Sequence, residues 1–128
     1  MTWIWVPKTS ALGAHAKSLA AHGGADGVRD EGLLESALAR PEDLAAYGEP
    51  DVFDLAGACA FGIVRNHPFV DGNKRASFLT AALFLELNGY SLRASEAEAT
   101  ATMLAFASGE IGEAEFAAWL RANCSKVG

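Results

Sequence analysis

The chain is poor in cysteine, carries a deficit of positive charge and has no long uncharged apolar run. Only Cys59 and Cys124 occur in 128 residues, far apart and with no Cys-x-x-Cys pair. A zinc site of paired cysteines is therefore excluded. The expected readings are a buried small hydrophobe at Cys59, inside the run Leu55–Phe61, and a plain thiol near the tail at Cys124. No segment approaches the roughly 20 apolar residues needed to cross a bilayer, so no membrane association is expected. The opening Met1–Pro7 has neither the basic region nor the apolar core of a secretory signal, and a cytoplasmic location is the expectation. Ten Lys and Arg face sixteen Asp and Glu, a formal charge of −6. That balance argues against a nucleic-acid binder working through bulk positive charge. Gly-x-x-x-x-Gly-Lys-Ser/Thr is missing, as is the protein-kinase signature set, so the two commonest phosphate-handling patterns do not apply. Internal repeats and long linkers are also absent.

What is present is a helix-prone, apolar-rich chain. Hydrophobic residues make up 51%, too many for disorder, and the length suits one domain over 1–128 that buries roughly two-thirds of its unfolded surface. Alanine occurs 26 times, which tilts the whole chain toward helix. Trp3–Val6 reads as a short extended piece ended by Pro7. Thr9 or Ser10 is expected to cap a first helix that Gly23-Gly24 stops near His22. The turn-rich stretch 23–30 reads as a loop or small hairpin. A second helix is expected from Asp30, with Leu33, Leu34, Ala37 and Leu38 on one stripe and Pro41 at its end, followed by irregular chain over 42–50. A third helix should run from about Asp51 to Asn66, apolar on nearly every face and therefore enclosed. A fourth runs from about Asn73 to Asn88, where Asn88-Gly89 supplies the stop. After an extended link at Tyr90–Arg93, Ser95 and Glu98 form a capping box for a fifth helix. A sixth, about Glu113 to Asn123, carries Phe116, Trp119 and Leu120. The fold class is all-α: a compact bundle of about six helices with a small flap or hairpin before the second.

The charge is unevenly spread. Residues 61–85 carry Arg65, Lys74 and Arg75 against Asp71, a net of +2, while the rest of the chain nets −8. The positive island coincides with the polar turn between the two most apolar helices, Asn66-His67-Pro68-Phe69-Val70-Asp71-Gly72-Asn73-Lys74-Arg75. If Gly72 and Asn73 open the fourth helix, their backbone N–H groups point outward with the positive end of the helix dipole behind them, a ready anion site. Lys74 and Arg75 in that first turn are electrostatically misplaced unless an anion sits there. Asp71 suits two roles: the N-cap of the fourth helix, or a Mg²⁺ ligand beside a phosphate. His67 is near enough to act as a general base. Phe69 reads as the anchor that pins the loop. His15 and His22, on the first helix without a partner motif, read as surface or packing residues. From the residues alone, the site is a base beside a phosphate cradle.

His67-Pro68-Phe69-Val70-Asp71-Gly72-Asn73-Lys74-Arg75 resembles the signature loop of the Fic/death-on-curing family. Gly27–Leu38 is similar to that family's flap and following helix, and Asn88-Gly89-Tyr90 is also typical. The likeness spans nearly the whole chain and is weakest over 1–12. Where adenylyl-transferring members have Gly and, further on, a second Arg, this chain has Lys74 and Phe78, departures that fit the death-on-curing toxin branch. The resemblance implies a toxin that transfers the γ-phosphate of ATP to a threonine of elongation factor Tu and halts translation. In that scheme His67 is the general base and Asp71 holds Mg²⁺ or orients the attack. Gly72 and Asn73 bind phosphate oxygens through backbone and side chain, and Lys74 and Arg75 neutralise developing charge. The flap, about 24–30 with Gly27, Val28 and Arg29, lays an extended substrate segment along its edge. Arg65 and Asn66 are given a supporting part only.

Self-inhibited members of the family carry a Ser/Thr-x-x-x-Glu-Gly/Asn helix, which this chain lacks. The resemblance therefore implies control by a separate antitoxin with a disordered inhibitory tail, and contact with DNA only through that antitoxin. Two rivals stay open: a protein adenylyltransferase using the same histidine, and a non-catalytic antitoxin-binding co-repressor.

Overall fold

The computed structural model describes residues 2–127, and among them six helices and two short strands. In chain order these are α1 (Lys8–His22), α2 (Glu31–Tyr47), α3 (Val52–Asn66), α4 (Asn73–Leu87), β1 (Tyr90–Leu92), α5 (Glu96–Ser108), α6 (Glu113–Ala122) and β2 (Cys124–Lys126). The fold is an all-α bundle, as the composition and periodicity imply. Its axle is α3, which packs against α2, α4, α5 and α6. Nine of its residues between Leu55 and Val64 are buried, so this helix is enclosed, as its lack of a polar face requires. Gly62 shows how closely α2 approaches it: a Cβ there would meet the Ala37 Cα at 2.8 Å.

The main core joins Leu55, Ala60 and Val64 of α3 to Phe84 and Leu85 of α4, Met103 and Phe106 of α5, and Phe116 and Leu120 of α6. Phe106 and Phe116 stack with centroids 4.2 Å apart. A smaller cluster of Leu34, Ala37, Ile63, Phe69 and Ala76 lies directly beneath the polar turn. The turn therefore rests on packed side chains from α2, α3 and α4.

Four local expectations are corrected. α1 starts at Lys8, without the Thr9 or Ser10 cap: Pro7 is the extended residue before it, and its carbonyl accepts from the amides of Ser10 and Ala11. Pro41 does not end α2; it is buried inside a helix that continues to Tyr47, so residues 42–47 are helical. A mid-helix proline costs about 3 kcal/mol. Here the continued helix sets Ala45 against the main core, and Arg40 reaches across to the Ala58 carbonyl (3.0 Å) and to Glu113 (3.0 Å). The stretch 23–30 forms no hairpin of its own; its one bridge pairs Val28 with Phe69. Finally, the extended link after α4 pairs with a strand the sequence did not suggest, Tyr90 opposite Lys126 and Leu92 opposite Cys124.

Candidate active site

The polar turn runs from the end of α3 to the start of α4, and its main chain from Asn66 to Phe69 is held by hydrogen bonds on nearly every group. His67 is the C-cap of α3 at φ 48°, ψ 56°, the only non-glycine residue at positive φ among the described residues. Its amide donates to the Ile63 carbonyl (3.1 Å), and its own carbonyl accepts from Arg29 Nε (2.7 Å). Arg29 Nη2 donates to the Asn66 carbonyl at 2.6 Å, so one planar guanidinium satisfies the carbonyls of the last residue of α3 and of its C-cap. The Pro68 carbonyl accepts from the amides of Arg29 and Asp30, and the Val70 amide donates to the Gly27 carbonyl. The buried Asn73 side chain closes on Phe69 from both sides, Oδ1 accepting the Phe69 amide and Nδ2 donating to the Phe69 carbonyl, each at 3.0 Å. Below it the Phe69 ring is 1% exposed and lies flat on His15, with centroids 3.8 Å apart. Phe69 is thus the anchor of the loop, as its sequence setting suggests.

Asp71 is not the cap of α4. Gly72 takes that place in the left-handed region, φ 77°, which glycine adopts without a Cβ penalty. No side chain caps the helix. The Asp71 carboxylate instead turns back, Oδ1 accepting the Gly72 amide (2.8 Å) and Oδ2 the Ala25 amide (3.2 Å). These two backbone donors hold its carboxyl below the usual carboxylate range, so it is an anion at neutral pH.

The amides left open at the start of α4 therefore differ from those expected. Gly72 N–H is taken by Asp71, and the first intrahelical bond is Ala76 N–H to the Gly72 carbonyl. The amides of Asn73, Lys74 and Arg75 have no partner among the described residues. Asn73 can offer only its backbone to a phosphate, because its side chain is committed to Phe69. Lys74, Arg75 and His67 are exposed.

His67, Asn73 and Lys74 line one groove of about 300 Å³, opposite Leu104, Ala107 and Ser108 near the end of α5, with Val64 at its floor. Asp71 and Arg75 are not among its lining residues. A larger hollow of about 430 Å³, between Trp5–Lys8 and α2, presents no comparable set of open donors; its lysine, Lys8, is already paired with Glu31 and Glu35. The smaller groove has the chemistry of a site: an imidazole, an ammonium and an uncapped helix start.

Magnesium fits what is there. Each Asp71 oxygen accepts one hydrogen bond and keeps a second lone pair. One or two carboxylates completed by phosphate oxygens and water is the usual Mg²⁺ arrangement. No cluster of three or more His, Cys, Asp or Glu side chains able to hold a metal occurs among the described residues, so the ion would be shared with a bound phosphate group.

Two contributors escaped the reading of the sequence, His15 and the α5 wall, and Arg29 takes a further part. His15 packs, as expected, but what it packs is the signature loop; its Nε2 lies 2.7 Å from the Asp71 carbonyl. The spacing Ala11, His15, Ser18, all buried on α1, is the signal that places it inward. Arg29, assigned to the substrate flap, turns its side chain onto the end of α3. The α5 wall carries no local signal, since only the packing of α5 brings it opposite the turn. Arg65 lies over the Phe61 ring at 5.4 Å, and Asn66 Nδ2 donates to the Leu33 carbonyl (3.0 Å), both supporting parts.

Comparison with known proteins agrees with this geometry. The sequence model of the Fic/DOC family matches residues 5–85, from the segment before α1 to the last turn of α4. A curated relative, Toxin Doc of Mycolicibacterium smegmatis (strain ATCC 700084 / mc(2)155), is 46% identical over 77 residues. That match covers 58% of this chain and 58% of the relative's length. With a matched segment that takes in the signature loop, its supporting helices and the whole of the flap, the chain belongs to the Fic/DOC family.

Proposed function

We propose that this chain, taken as one Fic/Doc domain over 1–128, is the toxin of a toxin–antitoxin pair. Its activity would be that of an ATP-dependent protein serine/threonine kinase. The similar relative's name, Toxin Doc, supports the toxin part of this reading. The observation that carries the chemistry is that His67 and Lys74 face one groove at an uncapped helix start.

In the proposed reaction the ATP phosphates lie against the open amides of Asn73, Lys74 and Arg75, where the dipole of α4 favours negative charge. The hydroxyl of an incoming threonine attacks the γ-phosphorus. A new O–P bond forms as the bond from Pγ to the β–γ bridging oxygen breaks, and ADP leaves. His67 takes the hydroxyl proton. Lys74 and Arg75 stabilise the charge spread over the transferred group, from positions fixed by the helix they start. Asp71 would hold Mg²⁺, which when bound neutralises phosphate charge. Because the loop is fixed before anything binds, little reorganisation is needed at the moment of reaction.

The acceptor needs an extended segment, and the flap offers an edge for one. Gly27 and Arg29 use their main-chain groups on Val70 and Pro68, which makes Val28 and Phe69 a non-hydrogen-bonded pair. The amide and carbonyl of Val28 therefore face the other way and have no partner among the described residues. A threonine-bearing strand of elongation factor Tu, the acceptor we propose, would pair there. Inhibition would come from an antitoxin whose disordered tail folds on this chain, with DNA contacted only through it.

The test is transfer to purified elongation factor Tu from ATP labelled at one phosphate. Label arriving from the γ-position supports the kinase. Label arriving from the α-position means adenylyl transfer and overturns it. If His67→Ala still arrests growth, the base assignment falls, and if neither label arrives, a binding role as co-repressor takes its place.

A further inference from the structure

We propose that His15, on α1 and outside the signature, is a positioning residue for this site. The inference rests on reading His67–Arg75 as the active site, but not on which phosphate of ATP is transferred. His15 is 3% exposed and makes two contacts with the loop. Its ring stacks on Phe69 with centroids 3.8 Å apart and planes 10° apart, and its Nε2 lies 2.7 Å from the Asp71 carbonyl oxygen. A carbonyl oxygen can only accept, so Nε2 must carry the proton.

The consequence lies in the geometry of one peptide unit. The Asp71 carbonyl and the Gly72 amide belong to the same rigid plane. His15 holds the carbonyl end of that plane, and the Asp71 carboxylate holds the amide end at 2.8 Å. Gly72 is the left-handed residue that begins α4, and it could rotate freely if the plane were released. The plane thus sets two things together: the aim of the Asp71 carboxylate and the direction of the open amides of Asn73, Lys74 and Arg75. A Cβ on Gly72 would sit 3.6 Å from His15 Nε2, so the imidazole lies against the hinge itself. The other pins of the loop come from Arg29 at His67, the backbone of residues 27–30 at Pro68 and Val70, Asn73 at Phe69, and the Ala25 amide at the Asp71 carboxylate. Among the described residues, only His15 reaches the Asp71 carbonyl, which lies between the base and the phosphate end of the site.

Two substitutions separate the hydrogen bond from the packing. His15→Phe keeps a flat ring on Phe69 and removes the donor; His15→Gln keeps a donor near the Nε2 position and removes the ring. The expected result for His15→Phe is a folded protein whose kcat falls about tenfold or more, with the KM for ATP changed less than about threefold. His15→Gln recovers most of kcat. Nitrogen NMR of the histidine-labelled wild-type protein is expected to find Nε2 protonated and its proton slow to exchange, a readout that does not depend on any variant folding. An unprotonated Nε2, a folded His15→Phe protein with wild-type kcat, or equal loss in both variants overturns the proposal. If the wild-type protein transfers no part of ATP, the functional reading above falls, and the NMR result alone then decides whether His15 holds the Asp71 carbonyl.

Discussion

The starts of α3 and α4 face the same problem and solve it in opposite ways. Each leaves backbone N–H groups without intrahelical partners. At α3 the protein fills the need itself. Asp51 accepts the Asp54 amide at 2.8 Å, Asp54 accepts the Asp51 amide at 3.0 Å, and Arg121 arrives from α6 to neutralise both carboxylates. At α4 nothing comparable exists: Gly72 has no side chain to offer, the first turn holds no acid, and Lys74 and Arg75 stand there instead. The first arrangement is that of a finished structural element. The second is electrostatically incomplete and would be completed by an anion, which is why we read it as the phosphate end of an active site.

Four substitutions at three positions can break the contrast. His67→Ala should lower transfer by about 10²- to 10⁴-fold, measured as kcat, while leaving the melting temperature near its wild-type value. His67→Gly should lose the same activity yet gain up to about 1 kcal/mol in urea unfolding, because glycine removes the left-handed strain at φ 48°. Lys74→Glu turns the α4 start into one like that of α3. Transfer should fall at least about tenfold, while the helix gains about 0.3–1 kcal/mol from a favourable dipole contact. Added inorganic phosphate should raise the melting temperature of the wild-type chain and no longer that of Lys74→Glu. Asp51→Ala makes the reverse change at α3: a loss of about 0.5–2 kcal/mol with unchanged kcat.

Acid gives the smallest effect. The Asp71 carboxyl is depressed by the Ala25 and Gly72 amides, so its contribution to folding is fully present above the ordinary aspartate value of about 3.9 and is lost as pH falls through the lower folded value. Asp71→Asn should flatten that part of the stability profile, read from urea midpoints across the acid range. A variant profile that still follows the wild-type one there would exclude Asp71 as the titrating group.

The features legible beforehand share one property: each depends on near neighbours in the chain. The enclosure of α3 follows from its composition, the stop after α4 from Asn88-Gly89, and the start of α5 from the Ser95 and Glu98 pair, which the structure keeps. The polar turn stood out because it interrupts two apolar helices. The misreadings are of the opposite kind. Pro41 looks like a terminator by its local chemistry, but it is itself buried in the packing of α2, and the helix runs on to Tyr47. Asp71 looks like a cap, but the Ala25 amide, 46 positions away, competes for its carboxylate. Asn73 looks like a side-chain phosphate ligand, yet its side chain is spent on Phe69 and only its backbone N–H stays open.

The sequence by itself determined the helical class, the order of the helices, the place of the signature loop and the sign of its charge. These follow from periodicity, turn residues and charge within short windows, where the chain can reach no other partner. Only the tertiary structure decided which of those residues face the groove, which of them lock the loop, and that His15 and the end of α5 belong to the site. Those assignments depend on which polar groups compete for each donor and acceptor after the helices have packed, and packing brings together groups that no local pattern connects.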